Sequence, residues 1–208
     1  MSSTPSNTDQ LVGQLQEKAT GATRFLVAVA GPPGSGKSTL AGNLVMNLRQ
    51  AGETAALVPM DGFHLDNRVL DRLGLRPRKG APETFDLDGF AVLLDRVRRG
   101  EHAYAPIFDR DIDCSIAGAE EIDPSTKFIV VEGNYLLLDL PKWRDLRRYW
   151  DLSVYISPGP DELRRRLIAR WLSYGLDQEA AVARADGNDM VNARLIEDCR
   201  LDADITLT

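Results

Sequence analysis

The sequence predicts an α/β protein: a parallel sheet covered on both faces by helices, in a three-layer α/β/α arrangement. Three observations carry that prediction. Short apolar runs at Phe25–Ala30, 128–131 and Leu152–Ile156 read as strands buried on both faces, because they are continuously apolar rather than alternating. Stretches with apolar residues at helical spacing separate them, as crossover helices between parallel strands require. A glycine-rich segment follows the first of these strands directly.

Along the chain, Leu11, Leu15 and Ala19 share one face of an expected helix over 8–19. The strand Phe25–Ala30 and its glycine-rich loop lead into a helix over 37–51. A second strand over 54–59 ends just before Asp61, and a short helix is expected over 68–73. Asp86 reads as the N-cap of a helix reaching Arg99, with Leu87, Phe90, Leu94 and Val97 on one face. Residues 104–108 form a weaker strand, and Pro106 assigns it to an edge. The most apolar strand, 128–131, delivers Glu132. After Leu152–Ile156 comes a helical stretch over 161–200, with breaks expected at Gly175 and Gly187, and a last strand over 204–207.

At 208 residues, the chain has the length of one domain of about 150 residues with an insertion, enough for a core without staples. With 43% hydrophobic and 27% charged residues it reads as globular, and disordered, collagenous and disulfide-rich classes are excluded. The net charge of −6 argues against gripping nucleic acid as the main task. Five of the 25 cationic residues are lysines, so arginine, the planar fork suited to carboxylates and phosphates, dominates. Cys114 and Cys199 have no metal-ligand or redox spacing and read as free buried thiols. The polar start lacks a basic and apolar leader pattern, and no apolar run is long enough to span a bilayer, so a cytoplasmic protein without membrane contact is expected.

The decisive motif is Gly31-Pro-Pro-Gly34-Ser35-Gly36-Lys37-Ser38, followed by Thr39, which fits G-x-x-x-x-G-K-[ST]. Its glycines allow successive N–H groups to turn inward on a phosphate, and the helix after it points its positive end at the same anion. Lys37 would reach the β- and γ-phosphates of a nucleotide, and Ser38 would give its hydroxyl to Mg²⁺. Glu132, at the end of a central strand, is placed to orient that ion, although a strand-end Glu also caps loops. Asp61 follows the second strand, on the side where doubly wound folds bind ligands. A carboxylate there can accept the proton of an acceptor hydroxyl, while Asp-Gly is also a common turn. No Asn-Lys dipeptide and no LSGGQ-like signature occur, which excludes a Ras-type GTPase and a transporter ATPase.

Together, GPPGSGKST, PMDGFH, RKGAPETFD and VEGNYLLLD followed by Trp143 resemble the uridine kinase, phosphoribulokinase and pantothenate kinase superfamily. Within it the chain is most similar to a bacterial branch of fructose-import-associated kinases. The resemblance runs from Phe25 to the C-terminus. It implies a single P-loop kinase domain over 1–208, with a substrate-binding subregion at 61–120 and a helical lid at 158–190. It implies ATP and Mg²⁺ as cofactors, a small alcohol or sugar as acceptor, and an assembly compatible with a homodimer. The aspartate base of the family falls on Asp61, its hydroxyl-holding aspartate after phenylalanine on Asp86, and its Pro-x-Tyr-Asp segment on Pro106 to Asp109, with Phe108 in place of Tyr. His64 and Tyr135 fall among its substrate-binding segments. Where nucleoside kinases place a base-reading histidine this chain has Asp113, which favours a sugar or polyol over uridine.

The arginine-bearing lid of the family matches 161–174, with Arg166 and Arg170 one turn apart. There they would stabilise charge on the transferring phosphoryl group, but Glu162 and Arg166 also have the spacing of an ordinary surface pair. The cluster of Arg68, Arg72, Arg76, Arg78 and Lys79 suits either an anionic or polyhydroxylated substrate or a solvated helix face. His64 suits either substrate contact or a bond to a nearby carbonyl. Trp143, Trp150 and Trp171 read as packing residues, and Asn188, Asp189 and Asn192 match a segment of the same branch, with capping as the plain alternative for Asn188. The resulting expectation is an ATP-dependent kinase acting on a small hydroxyl compound, with fructose leading and nucleosides and pantothenate following. A P-loop protein that binds nucleotide for regulation, without transferring a phosphoryl group, is the competing class.

Overall fold

The computed structural model describes residues 7–208; residues 1–6, within the polar start, lie outside the described residues. Helix α1 (Asn7–Lys18) leads to strand β1 (Phe25–Ala30), the glycine loop and helix α2 (Lys37–Gln50). Strand β2 (Ala55–Pro59) runs into a 3₁₀ turn at Met60–Phe63, followed by helices α3 (Asn67–Leu73) and α4 (Leu87–Arg98). Strands β3 (Ala103–Asp109) and β4 (Cys114–Ile122) precede β5 (Phe128–Gly133), a 3₁₀ segment at Trp143–Tyr149 and strand β6 (Leu152–Ile156). Helices α5 (Pro160–Ser173), α6 (Gln178–Arg184) and α7 (Met190–Asp198) then lead to β7 (Ile205–Leu207).

The main sheet has the order β2-β5-β1-β6-β7 and is parallel throughout. Central position explains the continuous hydrophobicity of β1 and β5, in which every residue is buried. Alternate side chains feed two cores. Phe25, Val27 and Val29 join Leu11, Leu15, Leu44 and Leu48 of α1 and α2 on one face. Leu26, Ala28 and Ala30 join Phe90 and Leu94 of α4 and Trp143 and Leu146 of the 3₁₀ segment on the other. The three expected layers are therefore present.

The structure corrects several local expectations. Strand β3 does not border the parallel sheet; it pairs antiparallel with β4 in a separate hairpin, and Pro106, which has no N–H to donate, sits at the register shift between Ala105 and Ile107. Strand β4 has no sequence counterpart in the expectations because six of its nine residues are exposed and its pattern is polar. Gly175 ends the turn after α5 with φ +87°, as expected, but Gly187 breaks nothing: a π-helical turn, Ala185–Asp189, joins α6 to α7. Cys114 and Cys199 are free but half-buried rather than buried. No helix among the described residues is long and apolar enough to cross a membrane.

Candidate functional site

Loops at the carboxyl ends of β1, β2 and β5 converge on one cavity, as the doubly wound topology dictates. Its floor comes from the glycine loop. Gly34 takes φ +80°, and a β-carbon there would stand 3.2 Å from Leu167 of α5, so only glycine lets the loop and α5 approach this closely. Arg166 secures the same contact by donating from Nη1 to the carbonyl of Ser35 at 3.2 Å. Its Nε also donates to Glu162 at 2.7 Å, so the surface pair and the loop contact are both formed. Arg166 does not line the cavity, whereas Arg170, one turn on, does.

Lys37 is buried at the start of α2, and burial pushes its ammonium below the usual lysine range against the opposing pull of Glu132 and Asp61. Ser38 donates its hydroxyl to Glu132 Oε2 at 3.1 Å. Burial raises the Glu132 carboxyl above the usual carboxylate range, despite Lys37 and the Ser38 bond. The donor set of one hydroxyl and one strand-end carboxylate beside it fits a hard divalent cation that keeps several waters. The Ser35 hydroxyl is buried without a partner among the described residues, and Thr39 is exposed on the first turn of α2. That orphaned hydroxyl in the glycine loop suits a phosphate oxygen.

Asp61 emerges from β2 on the 3₁₀ turn. Gly62 follows because the hairpin crosses here: a β-carbon at position 62 would sit 2.2 Å from the Pro106 carbonyl oxygen. The crossing brings Arg110, at the hairpin turn, to Asp61, with Nη2 donating to Oδ2 at 2.7 Å. Burial alone would raise the Asp61 carboxyl, but His64, Lys37 and Arg110 around it outweigh burial and hold it below the ordinary range. Asp61 is therefore an ionised acceptor near neutral pH. His64 bonds through Nδ1 to the Asp61 carbonyl at 2.7 Å, and its ring packs 4.1 Å from Phe85 and 4.6 Å from Phe108. Burial holds its imidazole below the usual histidine value.

Phe108 lines the cavity under Lys79, whose ammonium lies 4.8 Å from the ring centroid and 2.8 Å from Asp113. The far wall is built by the C-terminal helices. Trp171 Nε1 donates to Asp189 Oδ2 at 2.6 Å, and Arg170 approaches the same oxygen at 3.3 Å. Arg170 and Arg184 both stack on the Trp171 ring, at 5.3 and 5.2 Å. Asn134 and Asn192 line the cavity with side-chain oxygens that have no partner among the described residues, and Asn192 is 1% exposed.

Three of the residues selected for acceptor binding lie apart from the cavity wall. Asp86 is exposed and caps α4 by accepting from Gly89 N at 2.9 Å. The Asp109 carboxylate accepts the amides of Asp111 and Ile112 and shapes the hairpin turn. Tyr135 is fully buried and donates to the Gly80 carbonyl at 2.6 Å, positioning the backbone that lines the cavity. Asn188 caps nothing; it bridges to the Lys79 carbonyl and accepts from Arg78. Sequence reasoning missed Arg110, Asn134 and Arg184, and took Trp171 for packing alone. The signal available for Arg110 was its place one residue beyond the Pro106–Asp109 segment.

A model of the phosphoribulokinase/uridine kinase family matches residues 26–206. A protein of Schizosaccharomyces pombe provisionally named as a uridine kinase is 35% identical over 97% of this chain and 90% of its own length. A pantothenate kinase of Streptococcus pyogenes is 29% identical over 72% of this chain, which spans 50% of that enzyme. Among solved structures, a provisionally assigned fructose transport system kinase from Silicibacter sp. superposes with a TM-score of 0.93 at 48% identity, covering 98% of this chain and all of the other. With its glycine loop, its parallel sheet order and a match over nearly its whole described length, the chain belongs to the phosphoribulokinase/uridine kinase family of ATP-using P-loop kinases.

Proposed function

We propose that this kinase transfers the γ-phosphoryl group of ATP to a hydroxyl of a small polyhydroxylated metabolite, with a sugar such as fructose as the leading candidate. The observation that carries the reading is the meeting of Asp61, Lys37 and Arg110 in one cavity. Lys37 and the glycine loop bind the nucleotide phosphates. Asp61, held ionised, accepts the hydroxyl proton and points the oxygen for in-line attack. Arg110 fixes the Asp61 carboxylate and stands ready to offset charge on the transferring group, with Arg170 on the opposite wall. Ser38 and Glu132 would hold Mg²⁺, which supplies charge neutralisation for the phosphates when bound.

The hairpin and the segment 61–120 form the acceptor side, and helices α5 to α7 act as the lid that excludes water. Asn192 and Asn134 hold acceptor hydroxyls with their unpartnered oxygens. Asp86, Asp109 and Tyr135 serve this side through backbone they cap or brace rather than by touching the acceptor. The name of the 48%-identical structure supports a sugar. Uridine is the second reading, supported by the name of the fission-yeast relative. Against it, position 113 is an aspartate committed to Lys79 and Asn67 and offers no imidazole to a base.

The test is ADP release from Mg²⁺–ATP with fructose, other hexoses, ribose, ribulose 5-phosphate, uridine and pantothenate. Stimulation by one compound well above the rate without acceptor is expected. A flat panel from protein that binds ATP would reject the kinase reading in favour of regulatory nucleotide binding.

A further inference from the structure

The cavity holds five fixed cations and three carboxylates. Each carboxylate engages one of these cations: Asp61 with Arg110, Asp113 with Lys79, and Asp189 with Arg170, while Asp113 also meets Arg76 from outside the cavity. Lys37 is the lysine of the glycine loop. Arg184 remains, and among the described residues it has no carboxylate partner; its recorded contact is with the face of Trp171.

Arg184 also faces a second space. The inner cavity is about 130 Å³, small beside the roughly 300–1,000 Å³ of ordinary ligand sites. It continues past Phe108, Arg110, Asp113, Trp171 and Arg184 into an outer cleft of about 830 Å³ between the hairpin turn and the loop after α5. No residue of the glycine loop lines that outer cleft, so it lies on the acceptor side. Asp111, exposed on the hairpin turn, shares the outer cleft but makes no ion pair with Arg184.

Resting on the kinase reading above, and narrowing its acceptor from a neutral sugar such as fructose to a charged one, we propose that the acceptor carries an anionic group, a carboxylate or a phosphate, remote from the hydroxyl that is phosphorylated, and that Arg184 binds it in the outer cleft. Arg184 is then a specificity-determining residue: its planar fork, lying over the Trp171 ring, presents paired N–H donors to an oxyanion. Arg110 lines the same cleft but is engaged by Asp61, which leaves Arg184 as the cation of that cleft free to meet an anion. A neutral sugar leaves Arg184 with no charge to meet.

The protein is loaded with Mg²⁺ and a saturating non-hydrolysable ATP analogue, and inorganic phosphate is then titrated calorimetrically. One phosphate is expected to bind the loaded protein, about tenfold more weakly in Arg184→Gln, with Arg184→Lys in between and analogue affinity unchanged in both. No phosphate uptake by the loaded protein, uptake unaltered by Arg184→Gln, or weakened analogue binding in that variant would each overturn the proposal. ADP release with matched neutral, carboxylate and phosphate forms of the same sugars then separates the two anions. It also separates the two readings. A neutral sugar phosphorylated with unchanged KM in Arg184→Gln removes the anion site and leaves the kinase. Phosphate uptake through Arg184 without stimulated ADP release by any acceptor removes the kinase reading and leaves the anion site.

Discussion

Replacing Asp61 by Asn should move two kinetic quantities in opposite directions. The amide keeps the shape of the side chain and still accepts from Arg110, which now donates at 2.7 Å, but it cannot take a proton. Loss of a general base costs about 10²–10⁴-fold in kcat, or about 2.7–5.4 kcal/mol of barrier. Loss of the charge acts on the nucleotide. A unit pair about 4 Å apart is worth about 4 kcal/mol at an effective dielectric near 20. Arg110 is 51% exposed and Asp61 19%, so solvent screening reduces this to about 1 kcal/mol. With the opposing charge removed, Arg110 and Lys37 attract the triphosphate more strongly, and ATP affinity should rise by up to about fivefold. Steady-state ADP release gives kcat, and titration with a non-hydrolysable analogue gives affinity. Wild-type turnover, or a fall in analogue affinity parallel to the fall in kcat, would refute the assignment of Asp61 as base.

Three further outcomes are expected. Gly34→Ala combines a left-handed backbone, at about 1–2 kcal/mol, with a β-carbon 3.2 Å from the buried Leu167; a loss of about 2–4 kcal/mol in urea unfolding is expected, and wild-type stability would show that loop and helix are not held together. Burial keeps the His64 imidazole below its ordinary 6.5, so below that pH the unfolded chain takes up a proton that the folded chain refuses. Stability complete above pH 6.5 should then fall on acidification by up to about 1.4 kcal/mol per pH unit, and His64→Gln should flatten this part of the Tm profile; an unchanged slope would reject it. Asn188→Ala removes the buried bridge from the π-helical turn to Arg78 and the Lys79 carbonyl, and should cost about 1–3 kcal/mol in the same unfolding assay, whereas a neutral result would make the bridge incidental.

What the sequence determined by itself is what local chemistry enforces. The glycine loop needs particular backbone angles over a few consecutive residues, and glycine at Gly34 and Gly36 permits them wherever the segment stands. The central strands declare themselves because burial on both faces demands unbroken hydrophobicity. The strand-end positions of Asp61 and Glu132 were legible for the same reason, since each stands at the end of an apolar strand. The tertiary structure alone decided the cavity wall that faces the glycine loop. Arg110 reaches Asp61 across 49 positions of sequence through a polar hairpin whose second strand has no apolar pattern. Asn192, Trp171 and Arg184 meet there because a π-helical turn carries α6 into α7 where the sequence suggests a break. Conversely, Asp86 and Asp109 carry the residue type expected of hydroxyl ligands, yet the nearest backbone amides engage their carboxylates. An aspartate can serve a neighbouring amide or a distant substrate with equal chemistry, and only the packing of the chain shows which of the two it meets.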